Sequence, residues 1–247
     1  MKVKHVPHHI SHQFDRELED IRSKVFHMGG LVESQLINAI RALELGNTEL
    51  AERVLGGDYK VNALEVNIDE ECTRILVRRQ PAATDLRLVL AIGKTITDLE
   101  RIGDESEKIG RFVLHFMESE GPKAYYVGVV AMGKHVQTIL HASLDAFARM
   151  DPEAALEVAK EDPKVDHEYD AIMRQLITYM MEDPRSITRV LDVVWIVRAL
   201  ERIGDHADNI CENVIYLVKG KDVRHIGLQA MEKEVRAERG EIGGEIA

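Results

Sequence analysis

The 247-residue chain has only two cysteines, six prolines and one tryptophan, and aromatic residues make up just 5% of it. Cys72 and Cys211 have no CxxC spacing, which excludes a thiolate zinc site and a disulfide framework and predicts two small core residues. The shortage of aromatics and of β-branched runs excludes a sheet-rich fold and predicts an all-α one. Long apolar runs are missing too: Leu88 to Ile92 and Val193 to Val197 fall far short of a membrane span. The start, MKVKHVPHHISHQF, has two lysines but no apolar signal core, so a cytoplasmic protein without membrane insertion is expected. Positive charge is in deficit, with a formal net charge of -11. That argues against nonspecific affinity for nucleic acid and is compatible with cation binding. Neither a phosphate-cradling GxxxxGK[ST] loop nor a GxSxG elbow is present, and no nucleophile and base stand at recognisable spacing. A non-enzyme is expected.

What the chain does have is a repeat. LERIGD at Leu99–Asp104 returns at Leu200–Asp205, 101 residues later. At the same offset Val89-Leu90 matches Val190-Leu191, Leu64-Glu65 matches Val165-Asp166, and Ile68-Asp69 matches Tyr169-Asp170. Farther upstream Met28-Gly29, Val32 and Leu36 match Met132-Gly133, Val136 and Leu140 at an offset of 104, so a small difference in loop length is expected upstream of the middle helix.

Each repeat reads as three long helices with apolar residues at three and four spacing. In the first they cover about Phe14 to Leu45, Leu50 to Val77 and Leu86 to Met117; in the second, about Tyr125 to Met150, Ala154 to Met181 and Ile187 to Val218. Gly46-Asn47 suits a stop, Pro81 a first-turn position, and Asp151-Pro152 and Asp183-Pro184 pair a capping side chain with a first-turn proline. Gly56-Gly57 and Asp162-Pro163 predict a break in each middle helix, and Gly121-Pro122 marks the join. The expected architecture is two pseudo-symmetric antiparallel three-helix bundles, residues 1–120 and 121–220, followed by a charged segment, 221–247, read as a frayed helix and flexible tail.

Residues i and i+4 share a helical face, so Glu100 stacks on Asp104 and Glu201 on Asp205. At 100° per residue, Val89, Gly93 and Ile96 lie within about 40° of Glu100, so these acids continue the apolar stripe. In the second repeat Val190, Val194 and Val197 line up with Glu201, Asp205 and, one turn on, Asp208. The middle helices carry Glu65 with Asp69, and Asp166 with Asp170, again on apolar faces. Carboxylates gathered together without counter-charge are costly to desolvate and call for a cation; oxygen donors on their own suit a hard one. The candidate ligands are Glu65, Asp69, Glu100 and Asp104 in one site and Asp166, Asp170, Glu201 and Asp205 in the other. A single Glu-x-x-x-Asp is more often a solvated face or an ion-pair partner, and Arg111 could pair with Asp104. Four pairs in repeated positions favour metal. Gly103 and Gly204 indicate close packing at this level. The cluster His5, His8, His9 and His12 reads as a mobile end, Trp195 as core or an interface anchor. His206 sits near 140° from Glu201, so the Glu-x-x-His di-iron motif is absent.

The segments RRQPAATDLRLVL, DLERIGDESEKI and ALERIGDHADNICENVIYLVKGKDVRH resemble the signature segments of the PhoU family, accessory and regulatory proteins of bacterial phosphate-specific transport systems. The resemblance runs from HHISHQFDRELEDIR to Asp222–His225, with Glu105-Ser106-Glu107 in place of the more usual small residues. It implies two three-helix bundles, commonly a cytoplasmic homodimer. It implies multinuclear metal clusters on the acid pairs, often iron, with zinc, manganese or magnesium as other divalent candidates. It further implies repression of the phosphate-starvation response when phosphate is plentiful, acting between the ATPase subunit of a phosphate ABC transporter and a sensor histidine kinase. The competing readings are a carboxylate-bridged di-iron oxidase or iron store, which needs histidine on the acid face, and a purely structural helical interaction module.

Overall fold

A computed structural model describes residues 12–117 and 126–237. Helix α1 spans His12–Leu45, α2 Thr48–Leu55, α3 Asp58–Arg79 and α4 Ala83–Met117; α5 spans Val127–Arg149, α6 Pro152–Ala159, α7 Asp162–Glu182, α8 Ile187–Lys219 and α9 Leu228–Arg236. Among the described residues there is no strand. The middle helix of each repeat is interrupted, as expected, between α2 and α3 at Gly56-Gly57 and between α6 and α7 at Lys160-Glu161. The two short helices begin alike: the Asn47 side chain accepts from the Leu50 amide, and the Asp151 side chain accepts from the Ala154 amide, both at 3.0 Å. Gly46 and Gly220 stop α1 and α8 with φ of 65° and 73°, backbone that a side chain would strain. Pro81 precedes α4 rather than sitting in its first turn. The expected join at Gly121-Pro122 lies outside the described residues.

The repeats are two three-helix bundles fused along their long helices. α4 packs along α8, and α1 crosses α5. That crossing displays the pseudo-twofold. A Cβ on Gly133 would lie 2.9 Å from Ile40 Cδ1, and one on Gly29 would lie 2.9 Å from Leu144 Cδ2. Gly29 and Gly133, and likewise Ile40 and Leu144, are 104 positions apart, so each helix drops the side chain of the equivalent position into the other's glycine notch. One continuous core runs through both bundles, from Phe14 to Val235.

The middle helices repeat at an offset of 104, not 101. Buried Val61, Ile68 and Cys72 correspond to buried Val165, Ile172 and Leu176. Val61 abuts Gly103, as Val165 abuts Gly204. The length difference therefore falls between the middle and third helices, after Arg79 and after Glu182, rather than upstream.

The stretch after Gly220 also differs from its expectation. Val223 is buried, and α9 lays Met231 and Val235 against α6 and α8. Two apolar residues one turn apart suffice to dock so short a helix, although its surroundings are charged. Residues 238–247 lie outside the described residues. Cys72 and Cys211 are buried free thiols, as expected. Trp195 is 54% exposed and stacks on Phe112, with ring centroids 6.1 Å apart.

Candidate metal centre

The acids of the first repeat form a ladder between antiparallel α3 and α4. Asp58, Glu65 and Asp69 stand along α3, and across from them on α4 Asp104 and Glu107 lie near Asp58, and Thr97 and Glu100 near Glu65. At the closed end of the ladder Asp58, Asp104 and Glu107 each offer a carboxylate oxygen, and these oxygens lie within 4.8 Å of one another. Among the described residues no other trio of potential ligands converges so closely. Asp58 is 8% exposed. Its Oδ2 accepts from Asn62 Nδ2 at 2.8 Å, and its Oδ1 has no partner. Burial, with Asp104 and Glu107 adding like charge, pushes the Asp58 carboxyl above its ordinary range. A buried carboxylate oxygen without a donor costs about 1–3 kcal/mol unless something fills its lone pairs, and converging carboxylate oxygens are the type of donor a hard cation takes. Gly103 makes the approach possible, because a Cβ there would sit 3.3 Å from Asp58 Oδ1 and 3.4 Å from Val61.

Of the residues marked from sequence, Asp104 belongs to this trio. Glu65 and Glu100 lie farther along the ladder. Burial first, then Asp69 for Glu65 and Asp104 for Glu100, raises both carboxyls. Arg101 lies 3.6 Å from Glu100. Asp69 is exposed at the open end. Arg111 pairs with Glu107 at 2.7 Å rather than with Asp104. Asp58 and Glu107 escaped the sequence reading, yet each had a signal: Asp58 is the first residue of its helix after a glycine pair, and Glu107 stands 101 residues before Asp208.

In the second repeat the equivalents of the trio are Asp162, Asp205 and Asp208, and Asn62 is replaced by Asp166. Burial, followed by Asp166 and Asp205, pushes Asp162 up to about 6. Burial, followed by Asp162, Glu212 and Asp205, pushes Asp208 up to about 7, and its Oδ1 is unpartnered. Glu201 is half-buried and raised by burial and by Asp205, while Arg198 at 3.0 Å opposes the shift. Asp166, Asp170 and Asp205 are exposed. The register places Tyr169, not an acid, opposite Glu65, and Asp170 opposite Val66. His206 pairs with Asp98 rather than with an acid of the cluster, with Nδ1 and Oδ1 3.0 Å apart. His5, His8 and His9 lie outside the described residues. Glu105, 3% exposed, is held by Lys108 at 2.9 Å and, across the repeat boundary, by Arg202 at 3.1 Å.

The model of the PhoU domain matches residues 25–113 and again 129–214. A protein of Pseudomonas aeruginosa described as a phosphate-specific transport system accessory protein PhoU homolog is 55% identical over 235 residues, covering 95% of this chain and 97% of that protein. The phosphate-specific transport system accessory protein PhoU of Escherichia coli is 51% identical over 226 residues, covering 91% of this chain and 93% of that one. A crystal structure of PhoU from Pseudomonas aeruginosa superposes with a TM-score of 0.82 at 54% identity, over 85% of this chain and all of that one. A phosphate transport system regulatory protein PhoU from Streptococcus pneumoniae gives 0.77 at 31% identity, over 85% and 99%. With two matched domains on the two bundles, and relatives similar along nearly its whole length, the chain belongs to the PhoU family.

Proposed function

We propose that this chain is a metal-binding accessory protein of a phosphate-specific transport system and a negative regulator of the phosphate-starvation response. Its partners are the ATPase subunit of a phosphate ABC transporter and a membrane sensor histidine kinase, met in the cytoplasm by a homodimer. The observation that carries the reading is identity above 50% along more than nine-tenths of the length to relatives described as phosphate-specific transport system accessory proteins. None of the described helices is long and apolar enough to cross a membrane, which suits a partner of membrane proteins rather than a membrane protein.

Asp58, Asp104 and Glu107 would hold a cation in the first bundle, and Asp162, Asp205 and Asp208, with Asp166, one in the second. Iron is the expected metal, and zinc, manganese and magnesium are the other candidates. Bound metal supplies positive charge to a face that otherwise repels itself, fixing the middle helix against the third. No covalent step is asked of the chain. The di-iron oxidase reading gains no support, since His206 is engaged by Asp98.

The test is genetic. A host strain lacking this chain should express a phosphate-starvation reporter in phosphate-rich medium, and the wild-type chain should silence it. Asp58→Asn with Asp162→Asn should restore silencing incompletely at equal protein level. A reporter that stays silent in the deleted strain sinks the regulatory reading.

A further inference from the structure

Beside the open end of the first acid ladder, at Asp69 and Thr97, the molecule holds a cavity of about 620 Å³ where α3, α4, α8 and the loop after Gly220 meet. Its floor contains Gly93, in the middle of α4. A glycine there costs the helix about 1 kcal/mol relative to alanine. Gly29, Gly103, Gly110 and Gly133 are explained by neighbours 2.9–3.3 Å from where a Cβ would stand, but at Gly93 nothing lies within 4 Å. Gly30 is equally open, but it faces solvent. The second repeat puts Val194 at the position of Gly93, Leu176 at that of Cys72 and Met173 at that of Asp69. The first repeat therefore keeps small or polar residues where its counterpart has bulk, and the space they leave is this cavity.

The lining has two characters. The bare backbone of Gly93 with Leu76, Val89 and Leu90 makes an apolar floor. Around it stand Lys94, Arg224 and His225. The Lys94 ammonium lies 4.9 Å from the centre of the Tyr216 ring, and Asp222 grips Arg224 through contacts of 2.5–3.1 Å, which fixes the guanidinium. His225 is held with φ of 63°, which is costly for a residue with a side chain. The carboxylates differ in availability. Asp98 is taken up by His206, Asn209 and Asn213. Asp69 and Glu212 remain as acceptors on the wall, with Glu212 facing His225 and Arg224.

We propose that this cavity binds a small anion with a flat heteroaromatic body, the chemistry of a nucleotide. The ring lies on the Gly93 floor, the phosphoryl group meets Lys94, Arg224 and His225, and the exocyclic amine of the base donates to Asp69 or Glu212. A volume of about 620 Å³ falls within the range of small-molecule sites. Inorganic phosphate would satisfy the cations but leave the apolar floor wet.

The experiment is calorimetric titration of the full chain with AMP and with ADP, without divalent cations so that the acid clusters do not contribute. Adenosine alone and inorganic phosphate alone are the controls. The nucleotides should bind one per chain, more tightly than either control. Gly93→Val, which installs the residue of the second repeat, should weaken them about tenfold or more while leaving Tm unchanged or raised. Lys94→Ala and Arg224→Ala should weaken the nucleotides and leave adenosine unaffected, and they carry the test if Gly93→Val lowers Tm. The proposal is overturned if no nucleotide saturates the chain, if phosphate alone binds as well as AMP, or if neither the cavity-filling nor the charge variants change the affinity.

Discussion

The two acid clusters occupy the same place in two copies of one bundle, yet they handle their charge differently. In the first, Asn62 donates to Asp58, so three carboxylates converge with an amide among them. In the second, Asp166 stands at the position of Asn62, and four acids answer to three. There Asp162 is pushed up to about 6 and Asp208 up to about 7. The change from amide to acid is one of several between the copies, since Asp208 stands for Glu107 and Tyr169 for Glu65; in the second copy burial comes first in raising Asp162 and Asp208, with neighbouring carboxylates adding to it. Duplication preserved the scaffold and let each site settle its electrostatics locally.

The largest expected effect comes from removing the buried acid of either copy. Asp58→Ala should cut divalent-cation affinity at the first cluster about 100-fold, and Asp162→Ala should do the same at the second, each leaving the other cluster intact in a two-site titration. If both variants lose both sites, the clusters are not independent and the comparison breaks.

Next comes the pH dependence of the metal-free protein. Folded-state values for Asp162 and Asp208 lie above the ordinary 3.8, so the folded chain binds more protons than the unfolded one. Stability should therefore fall as pH rises from about 4 through 6 and 7. Asp208→Asn should raise the metal-free Tm at pH 8 by about 4 °C, equivalent to ~1–2 kcal/mol, and flatten the pH profile. Excess divalent cation should flatten the wild-type profile in the same way.

Exchanging the amide and the acid at positions 62 and 166 sharpens the comparison further. Asn62→Asp should lower metal-free stability at pH 8 by about 1 kcal/mol while raising cation affinity at the first cluster about tenfold. Asp166→Asn should do the reverse at the second. The smallest effect is expected from Arg198→Ala. Arg198 is half-exposed beside Glu201, and its loss should cost a few tenths of a kcal/mol by denaturant unfolding.

Much of this was legible in the sequence. The cap at Asp151, the stop at Gly46-Asn47 and apolar spacing located all six long helical runs, because those signals act within one or two turns. The register of the middle helices was not legible, and the reason is geometric. Offsets of 101 and 104 differ by three residues, a shift that keeps a side chain on nearly the same helical face. Either alignment therefore placed acids toward α4 and α8, and only the contacts of Val61 with Gly103 and of Val165 with Gly204 decide between them. The same shift explains why Glu65 and Asp69 drew notice ahead of Asp58, which lies beside a glycine pair at a helix start. Helix α9 was hidden because its buried face consists of two residues, Met231 and Val235, in a charged segment.

The central claim is that both clusters hold a cation. It is tested most directly by elemental analysis of protein purified without chelator or histidine tag, beside the quadruple variant Asp58→Asn, Asp104→Asn, Asp162→Asn, Asp208→Asn. The account predicts at least one divalent or iron equivalent per cluster in the native chain and none in the variant, both folded by circular dichroism. A native protein without metal, or a variant that retains it, would contradict the account.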